Sequence, residues 1–345
     1  ETQLRGTPGS LEAEEIIPPT DGTDLVLTID RNVQGRAEEI LHQLVEQYSA
    51  AGGTVIVEEP ASGKIIALAN APTFDPNRYA KFPVASFLNQ ALQLVYEPGS
   101  VMKVITMAAG IDGGVITPQT TFTDTGSLTL NGKTIRNFED RVYGTVSMNE
   151  VISHSINTGA AFAARRVGRE RFVEYLTRFG FAEPTGVGLP GEVRANLKSL
   201  GKNSREINLA TASFGQGIAV TPMELISAVA AIANKGVRMR PYLLSSQQPQ
   251  VVRRVISPET ARQVADMMAA SVDLNKIARI PSYAIAGKTG TAQVADLTRG
   301  GYTNDYIHTF VGFGPVSNPR FVALIKLDKP TGAPLAGTTV VPALR

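Results

Sequence analysis

The chain has 345 residues, a formal charge of +2 at pH 7 and 43% hydrophobic residues. Its length allows one large domain or two ordinary ones, and its hydrophobic content is that of a globular protein that builds a core. The 33 basic residues nearly balance the 31 acidic ones and form no phosphate-binding stripe, so nucleic acid is not an expected partner. Because the chain has no cysteine and only three histidines, in no metal-ligand spacing, we expect no metal site and no cofactor.

The beginning of the chain reads as an arm followed by a domain. Residues 1–22 are rich in proline, glycine and charge, which predicts an extended linker, and we expect the domain to occupy residues 23–345. Within that domain, Leu25–Ile29 predicts a strand, and Asp30 is placed to cap a helix with apolar residues at helical spacing. The runs TVIVE and KIIALAN, separated by residues 60–63, then predict a β-hairpin.

The rest of the chain predicts helices first and strands afterwards. Between about residues 86 and 271 the pattern is mostly helical, and Ser147, Thr221 and Ser257 each stand at a helix N-cap. The later runs AGKTGTAQVA, HTFVGFGPV and RFVALIKLD predict three strands. Since the simplest closure places the early and late strands in one sheet, we expect an α+β fold with an antiparallel five-stranded sheet covered by helices.

The stretch YEPGSVMKVITMAAG places a serine after a Pro-Gly turn and a lysine three residues later. Apolar residues surround this predicted helix, so Lys103 is expected to be buried. Burial favours a neutral amine, which can accept the proton of a hydroxyl one turn away, so Ser100 and Lys103 are a candidate nucleophile and base. The alternative is that Ser100 only caps the helix and Lys103 reaches solvent. The same spacing recurs at Ser199 and Lys202, but in a polar loop that would not bury an amine.

A second candidate motif, Lys288-Thr289-Gly290 followed by Thr291, lies in a predicted strand of small residues. Small side chains let another backbone approach, so such a strand can accept an extended peptide. The threonine hydroxyls and the Lys288 ammonium suit a terminal carboxylate. The alternative is an ordinary strand with an exposed lysine.

A third candidate motif, S-x-N, occurs twice between the other two. Ser147 and Asn149 are explained by the helix cap at Ser147. Ser155 and Asn157 instead fall where a helix from Ser147 would be interrupted. We therefore select Ser155 and Asn157.

The order S-x-x-K, S-x-N, K-T-G occurs in penicillin-binding proteins and class A β-lactamases. With the contexts LRGTPG, DLVLTIDRNVQ, YEPGSVMK, INTGAAFAARRVG and AGKTGTAQ, nearly the whole chain closely resembles the transpeptidase domain of class B penicillin-binding proteins. This resemblance implies a penicillin-binding and β-lactamase-like transpeptidase fold. The stretches DTGSLTLNGKTIRNFED and SFGQG to TPMEL favour the septal, division-associated branch over the elongation branch. The middle motif departs from S-D-N by having isoleucine at its centre.

The resemblance implies a serine acyl-transfer mechanism for peptidoglycan cross-linking. Ser100 would attack the carbonyl of the penultimate D-Ala of a stem peptide, with Lys103 as its base, releasing D-Ala and leaving an acyl-enzyme. Ser155 and Asn157 would relay protons and position the substrate amide, and Lys288 would support the proton network. An amine of a neighbouring stem peptide would then take the acyl group.

The same resemblance assigns the substrate-binding strand and the partners. Thr289, Gly290 and Thr291 would bind the substrate, and the backbone N–H groups of Ser100 and Thr291 would form an oxyanion hole. β-Lactam antibiotics would acylate Ser100 as mimics of D-Ala-D-Ala. The domain would work at the extracytoplasmic face of the bacterial membrane, anchored by an N-terminal helix that this chain does not include. Proteins of the division or elongation complex would bind largely through those absent parts.

Two other classes of function stay open at this point. A β-lactamase-like hydrolase needs a base for the deacylating water, but no E-x-x-L-N segment is present, and Glu183 and Glu192 lie in predicted turns. A sensor that only binds penicillin or peptidoglycan is compatible with intact motifs.

Overall fold

The computed structural model describes residues 21–276, 278–296 and 298–344. The predicted arm, residues 1–22, lies almost wholly outside the described residues and stays a prediction, as does the proposed start of the domain at residue 23. The helices are α1 (Arg31–Gln47), α2 (Gln90–Gln93), α3 (Met102–Asp112), α4 (Met148–Ser153), α5 (Asn157–Val167), α6 (Arg169–Phe179), α7 (Glu206–Ala212), α8 (Pro222–Ala233) and α9 (Pro258–Asn275). The strands are β1 (Gly52–Glu59), β2 (Lys64–Ala71), β3 (Thr121–Asp124), β4 (Ser127–Leu130), β5 (Lys133–Arg136), β6 (Gly144–Ser147), β7 (Val237–Met239), β8 (Val251–Arg254), β9 (Ala286–Ala295), β10 (Tyr302–Gly314) and β11 (Phe321–Asp328). In the part of the chain described, no helix is long and apolar enough to cross a membrane.

One five-stranded antiparallel sheet organises the molecule, in the order β2-β1-β11-β10-β9. The early hairpin β1–β2 joins the late strands through the pairing of β1 with β11. β10 then pairs with both β11 and β9, which leaves β9 at the outer edge. This order confirms the predicted sharing of one sheet by the early and late strands, and with it the α+β fold.

Helices cover both faces of the sheet, and each face has its own core. α8 is buried on every side against β1, β10 and β11, which explains why its sequence is apolar all round. Thr221 begins it with a capping box, and Pro222 stands at its first turn, as predicted. On the other face, α1 packs against β1 and β2 with the apolar residues of the C-terminal segment, including Val340.

Two expectations about the elements were wrong. Leu25–Ile29 is not a strand: only Leu27 forms an isolated bridge, with Leu244, and Leu25 and Val26 are exposed. The run has β-forming residues, but the segment around Leu244 pairs with it over too short a length to make a ladder. The middle of the chain is also less helical than expected, since it contains the two-stranded pairs β3–β6, β4–β5 and β7–β8.

Candidate active site

Ser100 lies in a single 3-10 turn, Gly99–Val101, that leads directly into α3. Gly99 has a φ of +56°, which L side chains rarely adopt, and its N–H donates to the carbonyl oxygen of Gly215 at 3.2 Å. A Cβ at Gly99 would lie 3.2 Å from the Cβ of Ala292 in β9. The turn is therefore held between the loop around Gly215 and β9, and it leaves Ser100 half-buried at the beginning of α3.

Lys103 is fully buried on α3, as the sequence predicted. Its Nζ donates to the carbonyl oxygen of Ser155 at 2.5 Å and lies 3.1 Å from the hydroxyl oxygen of that residue. Burial, together with the nearby charge of Lys288, lowers the pKa of Lys103 well below its ordinary value. A neutral amine beside a serine turn is the form required of a general base.

Ser155 joins the two lysines. It occupies the break between α4 and α5 with a φ of +58°, which confirms the predicted interruption of the helix. Its Oγ lies 3.1 Å from the Nζ of Lys103 and 3.0 Å from the Nζ of Lys288. One hydroxyl thus bridges two amines from different parts of the chain, which makes a continuous path for protons.

Lys288 reaches this hydroxyl from β9 and is almost completely buried. Its Nζ also donates to the carbonyl oxygen of Thr289 at 3.1 Å. Burial lowers the pKa of Lys288 to about 8. Since two like charges around one hydroxyl disfavour each other, the site favours a protonated Lys288 next to a neutral Lys103 at neutral pH. The alternative of an exposed lysine on an ordinary strand is wrong.

Asn157 begins α5, where a buried polar cluster fixes it. Its Nδ2 donates to the carbonyl oxygen of Arg136 at 2.9 Å, and its backbone N–H donates to the Oδ1 of Asn137 at 3.0 Å. Asn137 in turn donates to the carboxylate of Asp124 at 2.9 and 3.0 Å, and the Thr158 hydroxyl donates to the same carboxylate at 2.6 Å. This cluster connects the small strand pairs to the S-x-N motif.

Sequence reasoning missed Asp124 and Asn137. Burial alone would raise the pKa of Asp124, but hydrogen bonds from Thr158, two backbone N–H groups and Asn137 together lower it. The available signal was the Asn131-Gly132 dipeptide, a typical hairpin turn, which here joins β4 to β5 with positive φ at both residues. That hairpin ends directly before Asn137.

β9 forms the opposite wall of the site. Thr289, Thr291 and Gln293 alternate along it and line the cleft. Gly290 lies between them, and a Cβ there would be only 2.5 Å from the carbonyl oxygen of Pro98. The glycine of K-T-G is therefore what allows β9 to approach the serine turn.

A cavity of about 450 Å³ joins these elements. Its described lining includes Gly99, Ser100, Arg136, Asn137, Phe138, His154, Ser155, Asn157, Phe214, Gln216, Thr289, Thr291, Gln293, Tyr306, Pro334 and Leu335. Five of the eight predicted site residues are in that lining, while Lys103 and Lys288 lie behind Ser155, and Gly290 lies against Pro98. Neither aspartate nor glutamate occurs among these lining residues.

The second S-x-x-K occurrence does not build a comparable site. Lys202 is exposed, and the Ser199 hydroxyl donates to the carbonyl oxygen of Gly217 at 2.6 Å. The structure therefore distinguishes the two identical spacings by the burial of the lysine and by the partner of the serine hydroxyl.

Comparisons with known proteins agree with this geometry. The model of the penicillin binding protein transpeptidase domain matches residues 53–344. A probable peptidoglycan D,D-transpeptidase of Pseudomonas aeruginosa is 35% identical over 320 residues, which are 91% of this chain and 55% of that protein. The chain thus spans about half the length of the curated relatives it matches.

Two solved structures are similar over most of the chain. The transpeptidase domain of penicillin-binding protein 3 from Burkholderia pseudomallei is 32% identical, with a TM-score of 0.82 and coverage of 92% of each chain. Penicillin-binding protein 3 of Mycobacterium tuberculosis, complexed with aztreonam, is 31% identical, with a TM-score of 0.86 and coverage of 97% of this chain and 79% of that one.

Proposed function

This chain belongs to the penicillin-binding protein transpeptidase family, and on that premise we propose that it is a serine D,D-transpeptidase that cross-links peptidoglycan stem peptides. The relative named as a probable peptidoglycan D,D-transpeptidase and the relative solved with aztreonam support this proposal. The single observation that carries it is the buried pair of lysines that meets at the Ser155 hydroxyl beside the Ser100 turn.

The residues of the site supply each proton transfer that the reaction needs. Ser100 Oγ attacks the carbonyl carbon of the penultimate D-Ala, and its proton passes to the neutral amine of Lys103. When the C–N bond breaks, that proton is returned through Ser155 to the nitrogen of the departing D-Ala. The donor peptide is then held as an ester on Ser100. An acceptor amine attacks the ester and gives a proton to the amine of Lys103. The ester C–O bond then breaks, and Lys103 passes that proton to the Ser100 oxygen, so that Ser100 leaves as a hydroxyl.

The remaining residues bind and orient the substrate in this proposal. The hydroxyls of Thr289 and Thr291 hold the terminal carboxylate, while Lys288, buried behind Ser155, supports the proton network and attracts the carboxylate from there by its charge. The backbone N–H groups of Ser100 and Thr291 receive the developing oxyanion, a type of donor pair that contributes several kcal/mol. The Nδ2 of Asn157 donates a hydrogen bond to the carbonyl oxygen of Arg136, and this bond fixes the orientation of the Asn157 side chain at the cavity wall.

The cavity favours acyl transfer over hydrolysis. Its described lining offers no carboxylate to activate a deacylating water. A carboxylate near the ester is what a β-lactamase-like hydrolase would require. We therefore expect the ester formed with a β-lactam to persist.

The test is the intact mass of the protein after brief exposure to benzylpenicillin, followed for several hours. One stable adduct is expected on the wild type and none on Ser100→Ala. Lys103→Met is expected to lower the acylation rate by about 10³-fold or more, since a general base contributes 10²–10⁴-fold and burial here leaves no substitute. Lys202→Met is the matched control, because it removes the lysine of the exposed S-x-x-K occurrence, and its rate should equal that of the wild type.

Labelling of Ser100→Ala would contradict the assignment of the nucleophile. Rapid loss of the adduct with accumulation of hydrolysed drug would indicate a hydrolase. A stable adduct without release of D-Ala from stem peptides would indicate a sensor.

We also propose that the domain belongs to the septal branch and works outside the bacterial membrane, where stem peptides are available. Proteins of the division complex are the partners expected for that branch.

A further inference from the structure

A second cavity, of about 210 Å³, adjoins the cavity around Ser100 and reaches Lys288. We call it the rear cavity, because Lys288 is among its lining residues and Ser100 is not. The described residues that line it are Arg141, Tyr143, Ser153, His154, Ser155, Ser271, Val272, Asn275, Ala278, Gly287, Lys288, Thr289, Phe310, Gly337 and Val341. Since Ser155 lines both cavities, its hydroxyl stands between them, and Lys288 borders the rear one.

Lys288 borders the rear cavity without a counter-ion. A protonated lysine has three N–H bonds, and two of them are used here, one toward the Ser155 hydroxyl at 3.0 Å and one toward the Thr289 carbonyl oxygen at 3.1 Å. In the part of the chain described, Lys288 forms no ion pair. Burying a cation without such a pair is costly, and burial lowers the pKa of Lys288 to about 8. One N–H bond of the ammonium is left for a further acceptor.

Arg141 brings a second cation to the rear cavity, and its backbone is fixed there. Its carbonyl oxygen accepts a hydrogen bond from the Nδ2 of Asn137 at 3.1 Å, and the N–H of Tyr143 donates to the carboxylate of Asp124 at 2.9 Å. The guanidinium pairs with Glu139, which is not a lining residue of this cavity. Because a guanidinium has five N–H bonds, that pair leaves donors free for another acceptor.

The other elements around Lys288 add no negative charge. Lys103 lies across the Ser155 hydroxyl from it, and His154 stacks on Tyr143 with 5.3 Å between the ring centroids. Helix α9, the segment after it, β10 and the C-terminal segment contribute uncharged lining residues, namely Ser271, Val272, Asn275, Ala278, Phe310, Gly337 and Val341. Among the described residues that line the rear cavity, none is an aspartate or a glutamate. An anion that entered it would therefore meet two cations and no carboxylate.

We propose that the rear cavity binds a small carboxylate anion, which accepts hydrogen bonds from Lys288 and Arg141. A carboxylate has two oxygens, so one group can accept from both cations, and charge-assisted hydrogen bonds of this kind are strong. Because the bound anion favours the charged form of Lys288, it should sustain acylation at alkaline pH. This inference rests on the proposed function, since it concerns what regulates the reaction at Ser100.

The experiment compares two carboxylates of different size at equal concentration and ionic strength. Acetate fits the rear cavity, whereas lactobionate, a disaccharide acid, is too large for it. The second-order rate constant of acylation by benzylpenicillin is measured by intact mass in each sodium salt, and the readout is the rate in acetate divided by the rate in lactobionate. This ratio is measured at pH 6.5 and at pH 9. Competition of acetate with the drug in the cavity around Ser100 would lower the ratio at both pH values.

At pH 9 only about one-tenth of Lys288 is protonated without the anion, so we expect acetate to raise the acylation rate about fivefold. At pH 6.5 nearly all of Lys288 is protonated already, and the ratio should be about one. In Arg141→Gln the ratio at pH 9 should fall to about one. Arg141→Lys keeps a cation at the cavity and should restore part of the increase.

Arg36→Gln is the matched control for the loss of an arginine. Arg36 and Arg141 each pair with a nearby glutamate, and the side chain of each is 62% exposed. Arg36 lies on α1 and lines neither cavity. Its substitution changes the net charge as Arg141→Gln does, so the control should keep the wild-type ratio at both pH values.

The outcomes separate the two proposals. If benzylpenicillin does not acylate the wild type, or if it also acylates Ser100→Ala, the proposed function fails. If it acylates Ser100 but the wild-type ratio at pH 9 is one or less, the anion site is refuted and the function stands. An equal increase at pH 6.5 refutes an action through Lys288. An increase that is unchanged in Arg141→Gln, or one that Arg36→Gln also abolishes, refutes the part assigned to Arg141.

Discussion

The protonation of Lys288 should limit acylation at alkaline pH. Burial lowers the pKa of Lys288 to about 8, which is well inside the range that can be assayed. With that pKa, the protonated fraction falls from about nine-tenths at pH 7 to about one-tenth at pH 9. If the cation is needed to keep Lys103 neutral and to attract the substrate carboxylate, the acylation rate should fall about tenfold across this interval.

The assay is the second-order rate constant for benzylpenicillin between pH 6 and pH 10. Lys288→Arg keeps a positive charge at all these pH values, so its rate, although lower, should show no alkaline decline. The alkaline decline in the acylation rate cannot be explained by unfolding caused by the titration of Lys288. The folded state binds fewer protons than the unfolded state between pH 8 and the ordinary lysine pKa, so the linkage of Lys288 raises the stability with pH. An equal decline in Lys288→Arg, or a flat wild-type profile from pH 7 to pH 9, would refute the reasoning.

Three further predictions concern packing, positioning and stability. In Gly290→Ala the new Cβ would lie 2.5 Å from the Pro98 carbonyl oxygen, so the serine turn must shift. The rate of acylation, measured by intact mass, should fall at least about tenfold, and the free energy of unfolding, measured in urea, should fall by about 1–3 kcal/mol. Asp124→Asn replaces the carboxylate by an amide, which cannot accept all the hydrogen bonds that Asp124 accepts. We therefore expect the melting temperature to fall by several degrees and acylation to slow. Asp266→Asn, at an exposed position, should match the wild type in both measurements. Burial raises the pKa of Glu58 to about 8, so the stability that its neutral carboxyl contributes is present at pH 4.5 and lost as the pH rises through 8. In urea unfolding, the free energy of unfolding of Glu58→Gln should therefore exceed that of the wild type at pH 8.5, and the difference should disappear at pH 5.

The sequence predicted the parts of the fold that depend on local chemistry. The caps at Asp30, Ser147 and Thr221 each accept a hydrogen bond from the helix they begin, because a short polar side chain before an apolar periodic run satisfies free N–H groups. The burial of Lys103 was predicted for a similar reason, since the apolar residues around it cover the whole circumference of α3. These signals involve neighbours within one helical turn.

The elements that failed depend on partners far away in the chain. Leu25–Ile29 has the composition of a strand, but the residues around Leu244 offer it only one bridge. The contacts of Asp124 with Thr158 and Asn137 join positions 13 to 34 residues apart, and no local pattern announces them.

Two of the site residues lie where regular structure is interrupted and another lies on an outer strand, and both positions have a physical reason. Ser100 stands in a 3-10 turn ahead of α3, Ser155 in the break before α5, and Lys288 on the outer strand of the sheet. Within a helix or an inner strand, the backbone groups are paired and neighbouring side chains crowd the reacting atoms. At an interruption, a hydroxyl can approach two amines from different elements, and an outer strand leaves an edge for a peptide. The cost is that each interruption must be fixed from outside, by Gly215 at the turn and by Asn137 at the break. Substitutions at these two supports should therefore lower the rate of acylation, measured by intact mass, by misplacing Ser100 or Asn157 without touching any reacting group.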